Sequence, residues 1–335
     1  MKTFLVAMLG CLLSTASVAQ DMNVQLARFM DDQVKAHHFT GVVLIVRDGQ
    51  RLLAKGYGAA NLEWNVPNTL TTRFRIASLT KTFTAAAILQ LREKGKLDLQ
   101  DSICKYADPC LDTWKPVTLH HLLSHTSGIQ AADRAPEFAP GTRWKYSDWG
   151  YSLLGFVIEK VAGKPYEDVL REQIFAPLGM HDTGYDHPQT VMKKRASGYR
   201  LKGEQVLNAE YTPMTTPFSA GGLYSTAEDL YRWDQALYGN AVLPEAARTL
   251  MFTPVLGDYG YGWAIYRPGA DSRRAPPWAV PGHLTLVHPG SINGFSAEIL
   301  RFPEDHVTII VLANLENISI GPELVRIVFS DAAPR

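Results

Sequence analysis

The sequence predicts an α+β fold: one antiparallel sheet built from both ends of the chain, flanked by helices, with a mainly helical segment inserted between. Three observations carry this prediction. Strand-like apolar runs open the chain, at residues 41–46 and 51–54. Runs with the 3.6-residue spacing of helices fill the middle. Strand-like runs return after Tyr259. Strands gathered at the two ends suit a single sheet with an insertion better than alternating β–α units do.

Residues 23–38 place Val24, Leu26, Ala27, Met30 and Val34 on one helical face. The runs 41–46 and 51–54 flank Asp48-Gly49, a strong hairpin turn pair. Residues 61–72 read as a loop. An amphipathic helix starts near Ser78 and stops at Lys94-Gly95-Lys96, where basic residues and a glycine suit a helix end. A short helix over 118–124 leads to His125-Thr126-Ser127-Gly128, and an apolar helix over 151–159 ends near Gly163-Lys164-Pro165. Another helix covers 166–175. Residues 182–217 are polar and irregular and read as an excursion over the surface. Ser225-Thr226-Ala227-Glu228 spells a capping box with Ser225 as the cap. A short helix follows at 243–251, then strands at 259–266, 284–287, 294–300 and 307–312, and a helix at 323–329. The helical subdomain spans roughly 82–215. There is no internal repeat and no low-complexity tract.

A chain of 335 residues with 46% hydrophobic and 20% charged residues is ordinary for a globular protein with a sizeable core. Lys plus Arg equals Asp plus Glu, 33 each, so no basic surplus points to nucleic acid or a membrane surface. Lys2, the apolar run 4–13 and Ser17-Val18-Ala19 read as a secretory signal cleaved after Ala19. The chain then divides into a signal peptide, 1–19, and a single domain, 20–335, that is periplasmic or secreted. The alternative of a lipidated Cys11 leaves a very short apolar stretch before it. No later segment is a transmembrane candidate. Export leaves Cys104 and Cys110, which in an oxidising compartment are bridged or remain two free thiols.

The chemistry centres on Ser78-Leu79-Thr80-Lys81. Positions i and i+3 share a helix face, so Lys81 can reach Ser78 and take the proton that keeps a serine hydroxyl a weak nucleophile. The plain alternative is that Ser78 only caps the helix. Ser102-Ile103-Cys104-Lys105 repeats the spacing, but in a loop-like stretch. His121 and His125, four apart, lack the glutamate of a zinc-protease pair and do not point to a metal. No Gly-x-Ser-x-Gly elbow occurs, which disfavours an α/β-type Ser-His-Asp hydrolase.

Ser78-x-x-Lys81, Tyr146-Ser147-Asp148 and His288-Pro289-Gly290 in this order resemble the serine β-lactamase and penicillin-binding protein superfamily. The most similar part is the class C β-lactamase-like branch, with its esterases, D-alanyl-D-alanine carboxypeptidases and D-aminopeptidases. Residues 122–129, 146–155 and 220–230 are similar to that branch too, so the resemblance covers nearly the whole mature chain. It implies a β-lactamase/transpeptidase-like fold and an exported serine hydrolase acting on a small ester, amide or peptide. Ser78 would be acylated, Lys81 would hold or take its proton, and Tyr146 would be the partner base. His288 and Gly290 would line the opposite wall, and the backbone N–H groups of Ser78 and Ser291 would form the oxyanion hole. No metal or organic cofactor is needed for this acyl transfer.

Two departures bear on substrate. His288 stands where the family often has lysine, and a mostly neutral imidazole is a poor partner for a substrate carboxylate. Asp148 stands where the family has asparagine, and an ionised carboxylate cannot donate a hydrogen bond to a substrate carbonyl. Both favour a carboxylesterase or peptidase-like enzyme over an efficient β-lactamase or D-alanyl-D-alanine carboxypeptidase. A ligand-binding module without catalysis is the alternative of another class. Oligomeric state is not legible.

Overall fold

The computed structural model describes residues 22–268 and 275–330. The signal-peptide reading therefore lies outside the described residues. Six strands form the main sheet: β1 (Gly41–Arg47), β2 (Gln50–Tyr57), β3 (Ala264–Tyr266), β4 (Thr285–Ile292), β5 (Phe295–Phe302) and β6 (Val307–Ala313). Their spatial order is β3-β4-β5-β6-β1-β2, and every neighbouring pair is antiparallel. β1 lies along β6 from Gly41 opposite Ala313 to Arg47 opposite Val307, so the two ends of the chain meet inside one sheet. Asp48 and Gly49 both take positive φ, +49° and +74°, as the tight turn between β1 and β2 requires.

β1 is apolar without alternation because both of its faces are covered. Val42, Leu44 and Val46 enter the core on the inner face. Val43 and Ile45 enter the outer core with Leu26 and Met30 of helix α1 (22–35) and Leu324 and Val325 of helix α5 (Gly321–Val328). Helix α4 (Ala227–Ala236) packs on the inner face against β6 and β1, and helices α2 (Thr80–Glu93) and α3 (Asp148–Ala162) pack on each other in the core continuous with that face. Arg301 of β5 and Asp234 of α4 form a buried ion pair, and Thr308 of β6 donates a further hydrogen bond of 2.7 Å to Asp234.

Several local expectations are corrected. α2 is enclosed rather than amphipathic: every residue from Thr80 to Leu89 is buried, which an interior helix tolerates. β4 runs on past residue 287 through His288-Pro289-Gly290 to Ile292, whereas only residues 264–266 of the 259–266 run are a strand. β3 pairs only with Thr285–Val287, so the outer edge of β4 from His288 onward has no partner strand among the described residues. A residue without an N–H, Pro289, is tolerated on such an edge. The stretch 182–217 is not wholly irregular. Tyr199–Lys202 and Gln205–Asn208 form a hairpin, and Gly184–Tyr185 joins Phe74–Arg75 and Leu223–Ser225 in a small sheet. The cap of α4 is Thr226, whose side chain accepts from the Asp229 N–H, while Ser225 is the last residue of a strand.

Candidate active site

Ser78 lies in a single tight turn, Ala77–Leu79, that leads directly into α2. It is not the helix cap: the residue before α2 is Leu79, and no side chain caps it. Ala77 has φ +46°, a left-handed conformation costly for a residue with a Cβ. β4 crosses this turn so closely that a Cβ on Gly290 would lie 2.3 Å from the Ile76 carbonyl oxygen and 3.2 Å from the Ser78 nitrogen. Only glycine lets the two backbones approach to that distance.

One turn into α2, Lys81 is fully buried. Its Nζ donates to Ser78 Oγ at 3.1 Å, to Asp148 Oδ1 at 2.7 Å and to the Ala220 carbonyl oxygen at 2.7 Å. Three acceptors match the three donors of an ammonium, so a buried cation is left with none unmade. The Tyr146 ring centroid is 4.8 Å from Nζ, within cation–π range.

Tyr146 and Asp148 sit at the start of α3. Ser147 is its cap, accepting from the Gly150 N–H at 2.9 Å. The cap fixes Tyr146 just before the helix and Asp148 at its first position. Asp148 turns to the cleft mouth, with 69% of its side chain exposed. The Tyr146 hydroxyl makes no hydrogen bond to a described residue and lines the cleft.

On the far wall, His288 is buried. Its Nδ1 donates to the Pro289 carbonyl oxygen at 2.6 Å, so its Nε2 accepts the hydrogen of the Tyr259 hydroxyl at 3.0 Å. Burial first, and the Lys81 charge second, push the His288 pKa down to about 3. Burial likewise pushes the Tyr259 phenol well up. Both groups are neutral at pH 7. His288 thus brings no positive charge to the wall where a substrate carboxylate would need one.

The cleft over Ser78 holds ≈ 640 Å³ and is lined by Tyr146, Asp148, His288, Gly290 and Ser291. Ser78, Lys81, Tyr146, Asp148, His288, Gly290 and Ser291, spread over more than two hundred residues of sequence, meet in one place. Cys104 and Cys110 do not join them. Their sulfurs are bonded, their Cα atoms are 5.3 Å apart, and they close a loop that packs on the core. Ser102, in the second Ser-x-x-Lys spelling, caps a turn by accepting from the Cys104 N–H. His121 closes a capping box at Leu119–Leu123, away from any shared site with His125. Among the described residues no cluster of histidine, cysteine and carboxylate groups could hold a metal.

Sequence reasoning missed Trp144, Tyr259, Tyr266 and Trp278, which supply the aromatic part of the cleft wall. The run Tyr259-Gly260-Tyr261-Gly262-Trp263 marks an unusual aromatic stretch, yet nothing local says that Tyr259 faces the cleft. Glu298 was missed as well. It lines the cleft's far end, accepting from Ser319 Oγ and from the Gly321 N–H, and burial pushes its carboxyl up.

Comparisons with known proteins place the fold in a family. The Beta-lactamase family model matches residues 26–323. A penicillin-binding-protein relative of Bacillus subtilis (strain 168), PbpX, is 30% identical over 315 residues, covering 89% of this chain and 75% of its own length. The crystal structure of a penicillin-binding protein from Bacillus halodurans superposes with a TM-score of 0.76 at 28% identity, covering 91% of this chain and 98% of that one. A D-amino acid amidase from Ochrobactrum anthropi SV3, solved with D-phenylalanine, gives 0.76 at 25% identity, covering 92% and 98%. The fold, an antiparallel sheet flanked by helices, is thus shared with these proteins, and the chain belongs to the Beta-lactamase family and is a serine hydrolase of it.

Proposed function

We propose that the protein hydrolyses small neutral or amine-bearing esters and amides through an acyl-enzyme on Ser78. The observation that carries this reading is the Lys81 ammonium, which donates to Ser78 Oγ and to the Asp148 carboxylate at the cleft mouth. In the form of the site in which the pair is one proton short, a Tyr146 phenolate beside the Lys81 ammonium, Ser78 Oγ bonds to the substrate carbonyl carbon as its proton passes to the Tyr146 oxygen and the carbonyl π electrons move onto the carbonyl oxygen. As the tetrahedral intermediate collapses, the bond to the leaving oxygen or nitrogen breaks and that group takes up the proton. Water then repeats the sequence on the acyl-enzyme, releasing the acid and restoring the Ser78 hydroxyl. The backbone N–H groups of Ser78 and Ser291 flank the attacked carbonyl and serve as the oxyanion hole.

Asp148 and His288 set the substrate class. A carboxylate at the mouth repels anions and attracts an amine, and a neutral His288 offers a substrate carboxylate no cation. L-phenylalanine amide, found in complex with the same amidase neighbour, carries an amine and no carboxylate and fits that preference. The penicillin-binding relatives favour the second reading, a slow β-lactamase or peptidase. We read the protein as exported, supported by residues 1–19 and by the Cys104–Cys110 bond. Among the described residues no helix is long and apolar enough to cross a membrane.

The test is a panel of initial rates: a neutral aryl ester, a D-amino acid amide and a chromogenic cephalosporin carrying its carboxylate. Wild type is expected to turn over the ester or the amide at least about 10²-fold faster, by kcat/KM, than the cephalosporin. Removing one charge at the mouth is worth roughly 1–2 kcal/mol, so Asp148→Asn should raise kcat/KM on the cephalosporin roughly tenfold. A cephalosporin rate equal to the ester rate in wild type, or an Asp148→Asn variant no better on it, would overturn the substrate assignment. Ligand binding without any turnover would bring the binding-module reading forward.

A further inference from the structure

The Tyr146 side chain makes no hydrogen bond to a described residue, so its position is set by the backbone on either side of it. Both sides are tied to one residue, His125. The Lys145 N–H donates to the His125 carbonyl oxygen at 2.9 Å, and the Ser147 N–H donates to His125 Nδ1 at 3.1 Å. Between these two bonds the His125 ring packs against the Tyr146 ring, centroids 4.4 Å apart. The loop that carries His125 is tied in turn to α3, because the Tyr151 hydroxyl donates to the Leu123 carbonyl oxygen at 2.7 Å.

His125 holds this place against two costs. It is fully buried with φ +57°, a conformation that strains most residues with a Cβ. Since Nδ1 accepts from Ser147, the neutral ring carries its hydrogen on Nε2, and Nε2 has no hydrogen-bond partner among the described residues. A buried donor left unpaired is unfavourable. An apolar side chain of similar size would fill the space without that cost. What it would lack is an acceptor for Ser147. Burial, reinforced by the Lys81 charge, holds the ring's pKa well below its ordinary value, so Nδ1 stays free to accept.

We propose that His125 is the positioning residue for Tyr146: it clamps residues 145 and 147 and backs the ring, and so sets where the phenol oxygen stands relative to Ser78 and Lys81. The assignment rests on the reading that Tyr146 shares the Ser78 proton. His125 touches neither substrate nor the reacting atoms; its ring also packs against Tyr151 and Tyr259, with centroids 4.9 and 4.7 Å away, but both hydrogen bonds it accepts hold the backbone beside Tyr146. Asparagine is the conservative replacement, since its side-chain oxygen stands near the Nδ1 position and it tolerates positive φ.

The experiment measures kcat and KM on an aryl ester for His125→Asn, His125→Leu and His125→Gly, each also combined with Tyr146→Phe. Gly relieves the backbone strain without supplying an acceptor, so it separates strain from clamping if the Leu variant fails to fold. A misplacement near 1 Å costs about 10²-fold. Leu and Gly should therefore lower kcat about 10²-fold with KM changed less than about 3-fold, while Asn stays within about 3-fold of wild type. In the Tyr146→Phe background, Leu and Gly should lower the residual kcat by less than about 3-fold, because the group they position is gone. An Asn variant as damaged as Leu and Gly, harmless Leu and Gly variants, or an undiminished loss in the Tyr146→Phe background would overturn the assignment. Full activity of Tyr146→Phe alone would sink the Tyr146 role and this assignment with it. Inactive Tyr146→Phe beside harmless Leu and Gly variants would sink the assignment alone.

Discussion

At the scale of single residues, His288 is the clearest case of chemistry set by surroundings. Its folded pKa is about 3, against an ordinary 6.5. Above pH 6.5 the ring is neutral in both the folded and the unfolded chain, and the difference has no effect. As pH falls below 6.5 the unfolded chain takes up a proton that the folded chain refuses until near pH 3. Stability is therefore lost across that window, at up to about 1.4 kcal/mol per pH unit. His125 contributes with the same sign. Urea unfolding of wild type and His288→Gln between pH 4 and 7 should show a shallower fall in the variant, and equal slopes would contradict the burial argument. The i, i+3 relation of Ser78 and Lys81 was legible in the sequence because helical periodicity is local. The other two acceptors on Lys81 were not, since Asp148 lies 67 residues away and Ala220 lies 139 away. Their presence turns a plausible base into a fully hydrogen-bonded ammonium.

At the scale of elements, the site is made where β4 crosses the turn before α2. The strand is legible up to residue 287 and the helix from residue 78, yet neither stretch announces that the two touch. Nor does the sequence say that β4 continues through Pro289, because that proline is tolerated by an unpaired edge that only the assembled sheet defines. α2 read as amphipathic because its threonines look like a polar face. In the structure Thr84 instead bonds the Tyr166 hydroxyl and the Ser219 carbonyl oxygen inside the core. The crossing makes a sharp prediction. Gly290→Ala places a methyl group 2.3 Å from a backbone oxygen, so β4 or the Ser78 turn must move. The variant should keep its far-UV circular dichroism and lose at least about 10²-fold in kcat/KM on an aryl ester. Retained activity would show that the two backbones are not held at this separation.

At the scale of the whole molecule, the sheet joins β1 and β2 to β3–β6 across the helical middle of the chain, and that arrangement was legible from where the strand patterns fall. The enclosure of both sheet faces, with α1 and α5 outside and α4 inside, follows from the apolar runs of β1 and β6. The surface hairpin near Gly203 and the cleft's aromatic wall were not legible, because pairing and facing across distant segments leave no mark in a local window. This assembly brings a serine in the turn before a buried helix, and the lysine on that helix's first turn, to the edge of a sheet drawn from both ends of the chain. The central claim is that its product is an acyl-enzyme on Ser78. The direct measurement is intact-protein mass against time after mixing with an activated aryl ester, wild type beside Ser78→Ala. A transient adduct of the acyl mass on wild type, absent from Ser78→Ala together with at least about 10³-fold of the turnover, is the predicted result. Turnover or an adduct that survives in Ser78→Ala would contradict it.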